Sequence, residues 1–152
     1  MRISILLTLF LSAVSLSCIS RQSDTPQPTY ADVAMPAKDL LAVAKTVVTS
    51  PPYNLKVEEE NKGRFTTSYQ DFQGDWHIVR YWPQRTRYTV TVAPDFDRPN
   101  DHSRVDVSVE TVEQAAGATV NGQPKWTHDP ESSHPERAAA LAAAIRNAAA
   151  KQ

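Results

Sequence analysis

The chain has a single cysteine, Cys18, so it can close no internal disulfide and build no multi-cysteine zinc site. Its glycines number four, and neither G-x-G-x-x-G nor G-x-x-x-x-G-K-[ST] occurs, which removes the glycine-rich phosphate cradles. An excess of one charge is also missing: 16 Lys and Arg stand against 17 Asp and Glu, a formal −1. Nucleic-acid binding needs a basic footprint, so it is a poor expectation here. The one long apolar run, residues 3–16, would span about 21 Å as a helix, short of a bilayer core of roughly 30 Å. What is present is ordinary for one folded domain: 152 residues, 41% hydrophobic and 22% charged.

That apolar run follows Arg2 and ends in Ser15-Leu16-Ser17-Cys18. A charged start, a short apolar stretch and small residues before a cut are the marks of a signal peptide, here residues 1–17. Ser15 to Cys18 resembles the lipobox of bacterial lipoproteins. The resemblance implies that the Cys18 thiol is acylated, that Cys18 becomes the new N-terminus, and that acyl chains, palmitate among them, hold the chain on a membrane. The family places Leu, Val or Ile three residues before the cysteine; here Ser15 stands there and the leucine comes one place later. The same residues satisfy the small-x-small rule of ordinary signal peptidase, which would leave an exported chain with a free thiol. Ile19 follows Cys18 in place of the Asp that retains enteric lipoproteins at the inner membrane, so the resemblance implies outer-membrane residence facing the periplasm.

Residues 18–35 are polar, with two prolines before Pro36, and read as a lipidated N-terminus and flexible tether. Residues 36–152 read as one domain. In residues 36–49, Ala37, Leu40, Leu41, Ala44, Val47 and Val48 form one apolar stripe at helical spacing, started by Pro36 and stopped by Pro51-Pro52. Period-two alternation then takes over. Residues 55–70 read as a hairpin turning at Gly63, with Phe65, Thr67 and Tyr69 along the return strand. Residues 84–93 put Tyr88, Val90 and Val92 on one face. Residues 104–112 do the same with Val105, Val107 and Val109. Residues 94–103 read as a mobile connection, 113–132 as loop, and 77–82 as a short strand or hairpin extension. Residues 135–151 read as a helix capped by Ser133 or His134, with a stripe of Ala138, Leu141, Ala142, Ile145 and Ala149.

These elements predict an α+β fold: a two-layer sandwich, an antiparallel sheet of about four strands with an N-terminal and a C-terminal helix packed on one face. The order over residues 36–149 resembles the repeat domain of BamC, the lipoprotein accessory of the outer-membrane β-barrel assembly machine. That resemblance implies a non-enzymatic role in binding an envelope protein or supporting outer-membrane assembly.

Chemistry-bearing residues are scattered. Histidines 77, 102, 128 and 134 match no ligand spacing, so no metal and no cofactor is expected. Without G-x-S-x-G or a facing pair of acids, no catalytic residue is assigned. Glu58-Glu59-Glu60 reads as a solvated strand edge. The densest constellation is Trp76, Tyr81, Trp82 and Trp126 with Arg80, Arg85 and Arg87, residue types enriched at interfaces. It reads either as a binding surface or as aromatic cover over one end of the core. The sequence-level expectation is a non-enzymatic envelope lipoprotein with a protein partner. The rivals are a module for a small or cell-wall ligand and, behind it, a hydrolase.

Overall fold

The structure, a computed structural model, describes residues 29–72, 83–128 and 134–152. Along the chain run β1 (Tyr30–Val33), α1 (Ala37–Thr49), β2 (Val57–Asn61), β3 (Arg64–Thr67), β4 (Gln70–Phe72), β5 (Gln84–Pro94), β6 (Ser103–Val120), β7 (Gln123–His128) and α2 (Pro135–Ala149). The fold is β-rich: all seven described strands join one antiparallel sheet that curls into a half-barrel. The expected two-layer sandwich with about four strands is therefore wrong. The sheet runs β1-β6-β5-β3-β2, with β4 also on β5 and β7 also on β6.

Three strands account for the error. Residues 30–33, expected in the tether, pair with β6 from Tyr30 opposite Asp106 to Val33 opposite Ser103. They are short and polar every second residue, so only the partner strand makes them β. Of the expected loop at 113–132, residues 113–128 are instead the far part of β6 and all of β7, closed by Asn121 and Gly122, both at positive φ, while 129–132 lie outside the described residues. Gln70–Phe72 adds β4, opposite Gln84–Thr86. The helices fall close to their expected bounds, although neither first turn has a side-chain cap hydrogen bond.

Both helices and one face of the sheet enclose a single core. Val90, Val105, Leu40, Val48, Leu141 and Ile145 are fully buried there, with Phe65 and Tyr88 beside them. On α1 the buried line is Leu40, Val43, Ala44 and Val48, with Leu41 and Val47 only partly covered, so the helix is turned slightly from the expected stripe. On α2 every expected stripe residue is buried; its alanines let the helix lie close to β1 and β6. Gly63 is needed where the β2–β3 hairpin closes on β5. It adopts φ +71°, its carbonyl accepts from the Val92 N–H, and an added Cβ would lie 2.7 Å from the Val92 carbonyl oxygen.

The junction of β3 and β4 decides which way Tyr69 points. Thr66 lies opposite Thr89 and Gln70 opposite Thr86, so β3–β4 carries one residue more than β5 over that stretch. The Tyr88 N–H there finds the Thr67 hydroxyl at 3.0 Å. The same bulge turns Tyr69 out of the core, to 37% exposure, against the expectation that it continues the line of Phe65 and Thr67. Within the connection 94–103, the loop 95–102 makes its own hydrogen bonds, including Asp95 N–H to the His102 carbonyl at 2.9 Å.

Candidate functional site

β5 alternates strictly, so Thr86, Tyr88, Val90 and Val92 are buried while Arg85, Arg87, Thr89 and Thr91 line the outer face. The register with β6 sets Arg85 opposite Val112 and Arg87 opposite Glu110. Opposite charges in directly facing cross-strand positions attract.

Each of these arginines is held on two sides. Arg87 Nε donates to Glu110 Oε2 at 2.6 Å, and its guanidinium carbon lies 4.8 Å from the centre of the Tyr69 ring. The Tyr69 hydroxyl completes the unit by donating to Glu110 Oε1 at 3.1 Å. Arg85 Nε donates to Asp71 Oδ1 at 2.7 Å, and its guanidinium lies 4.3 Å from the centre of the Trp126 ring. A carboxylate on the edge and a ring on the face fix a guanidinium plane. The same arrangement recurs at the far end of the outer face, where Arg104 Nε meets Asp32 at 2.8 Å and stacks 4.6 Å from Tyr30.

The electrostatics follow from these contacts. Burial pushes the Tyr69 phenol above its ordinary value, and the Glu110 charge adds to that. Tyr69 therefore stays a protonated donor. Partial burial pulls Arg87 down, but the Glu110 hydrogen bond and neighbouring negative charges outweigh it, so its pKa is raised. The hydrogen bond from Arg104 holds Asp32 below the usual carboxylate range. At neutral pH Tyr69 is therefore neutral, Arg87 positive and Asp32 negative, which suits recognition. Among the described residues the Nη groups of Arg85 and Arg87 make no hydrogen bond, which leaves these donors on two neighbouring guanidiniums without a partner there.

Of the expected surface residues, the structure brings Arg85 and Arg87 together with Trp126; Trp76, Arg80, Tyr81 and Trp82 lie outside the described residues, as does Cys18. Sequence reasoning missed Tyr69, Asp71 and Glu110. The outward parity of Glu110 and Arg87 on adjacent strands was a usable signal. Tyr69 and Asp71 depend on the bulge, which leaves no mark in the residue pattern. His102, His128 and His134 sit on three separate elements, and among the described residues no three His, Cys, Asp or Glu side chains group closely enough to hold a metal. An open depression of about 360 Å³ lies elsewhere, lined by Glu59, Glu60, Asn61, Arg64, Phe65 and Thr66. No protein-family model matches the chain, and no curated protein aligns with it significantly.

Proposed function

We propose that this protein is a non-enzymatic, exported lipoprotein of the bacterial envelope, acylated at Cys18. It binds a protein partner through the outer face around Arg85 and Arg87, in support of envelope assembly. The observation that carries the reading is the pair of neighbouring guanidiniums, each fixed between a carboxylate and an aromatic ring, with Nη donors that make no hydrogen bond among the described residues. Pre-fixed arginines lose little freedom on binding, and their forks match a partner's carboxylates or backbone carbonyls. Two or three acyl chains, at about 0.8 kcal/mol per buried CH₂, would anchor the chain stably. No helix among the described residues is long and apolar enough to cross a membrane.

The test uses the full chain in its own envelope. Replacing both Arg85 and Arg87 with Ala is expected to weaken partner retention at least fivefold, about 1 kcal/mol. The thermal transition should move little, because neither side chain belongs to the core. Retention unchanged in the double variant would remove the outer face from the proposal. Cys18→Ala is expected to stay uncleaved by lipoprotein signal peptidase and to incorporate no labelled palmitate. Wild-type protein that is unlabelled and soluble in the periplasm would remove the anchor.

A further inference from the structure

Phe96, in the loop between β5 and β6, is 97% exposed. The other large exposed rings differ: Tyr30 lies against Arg104 and Tyr69 against Arg87, whereas Phe96 has no ring or cation contact among the described residues. Slackness of the loop does not explain the exposure. The Asp95 carboxylate accepts the N–H groups of Asp97 and Arg98, each at 3.0 Å, so the turn closes directly over Phe96. Further along, the His102 N–H donates to the Arg98 carbonyl at 2.9 Å, and His102 Nδ1 meets Asp101 at 3.0 Å. The backbone thus fixes an aromatic side chain pointing into water.

We propose that Phe96 anchors a second interface, entering an apolar pocket rimmed by basic residues on a partner protein. The ring supplies the apolar content, and aromatic anchors seated in pockets carry much of the energy of protein interfaces. The fixed turn lowers the ordering cost. The rim chemistry follows from the loop's charge: the loop that carries the ring holds Asp95, Asp97 and Asp101 against Arg98 and a His102 paired with Asp101. Three carboxylates beside the anchor would be repelled by an anionic lipid surface and favour Lys and Arg around the pocket. This interface goes beyond the outer-face reading. Arg85 and Phe96 lie at opposite ends of β5, on the order of 30 Å apart at about 3.3 Å per residue.

The test places photoreactive p-benzoylphenylalanine at position 96 of the full chain, in cells that make it, with the same probe at exposed Lys62 as control. The expected result is one protein adduct specific to position 96. Mass spectrometry should map it to a partner segment lining an apolar pocket flanked by Lys or Arg. Asp97→Lys should lower its yield about fivefold, while Arg85→Ala with Arg87→Ala leaves it in place. Folding is checked by the thermal transition, which Phe96→Ser should not move. Adducts to lipid, adducts no stronger than at Lys62, a partner segment without basic residues, or indifference to Asp97→Lys would each overturn the proposal. Loss of the adduct in the double arginine variant would make Phe96 an extension of the outer face, which also overturns it.

Discussion

The two faces of β5 are built from one alternating sequence, yet they are held by different forces. The inner face is Thr86, Tyr88, Val90 and Val92 against the helices, where stability scales with apolar area removed from water. The outer face is Arg85, Arg87, Thr89 and Thr91, where the strands are tied by hydrogen-bonded ion pairs and stacked rings. Such ties stay partly in water and contribute little each. What they supply is orientation: Arg87 is immobilised by Glu110 and Tyr69 without being buried. A surface can be ordered without being strongly stabilised, and a recognition face needs that combination.

The comparison is broken most directly on the inner face. Phe65, 1% exposed and opposite Val90, is expected to cost about 3–5 kcal/mol when replaced with Ala. Thr89→Ala, on the outer face beside it, should stay within about 0.5 kcal/mol. Chemical denaturation of both variants checks this, and comparable losses would mean that the two faces do not divide the work as described. Next in size is Gly63→Ala. It strains a positive φ and drives Cβ against the Val92 carbonyl, at an expected cost of about 1–3 kcal/mol. A neutral effect would show that the β2–β3 hairpin shifts freely against β5.

Strand by strand, the inner face was legible and the outer face was not. Val90, Val92, Val105 and Val107 sit where their alternation puts them, because burying every second residue leaves a pattern a reader can see. The α2 stripe was legible for the same reason. β1 and β7 were not. β1 turns only Ala31 and Val33 inward, too short an alternation to stand out, and β7 is mostly exposed; both are strands because β6 is long enough to offer its backbone on both sides of its midpoint. Those extra strands turn the expected sandwich into a curled, β-rich sheet. Arg85 and Arg87 stood out as a dense cluster, but their partners Asp71 and Tyr69 come from a strand junction whose one-residue bulge is a property of pairing, not of composition.

A smaller effect sharpens the outer face. The coupling between Arg87 and Glu110, measured by a double-mutant cycle to Ala, is expected at about 0.5–1 kcal/mol after allowing for solvent screening. It should shrink in 1 M NaCl, where the Debye length is about 3 Å. Coupling of several kcal/mol would place this pair among buried ion pairs and erase the contrast between the faces.

The smallest effect concerns pH and the clasp that holds β1 to β6. Asp32 lies opposite Arg104, and the hydrogen bond from Arg104 lowers its folded pKa below the unfolded value of about 3.9. A lowered carboxylate pKa means that the folded form binds its proton less readily than the unfolded form does. The stabilising contribution is therefore complete above the unfolded value and is lost as pH falls through the folded one. The loss should be local, because only Ala31 and Val33 of this four-residue strand reach the core. Hydrogen exchange at the Val107 amide, which donates to the Thr29 carbonyl at 2.8 Å, reads the opening of β1. Asp32→Asn removes the titrating group. Wild type should protect this amide better than the variant at pH 6, and the two should converge once the pH is below the folded value. Asp101, also held low by its hydrogen bond to His102, titrates in both proteins and cancels in the difference. No difference at pH 6 would mean that packing of Tyr30 against Arg104, and not the Asp32 charge, closes this edge of the sheet, and a difference that persists unchanged in acid would trace to the Asn side chain and not to the lost charge.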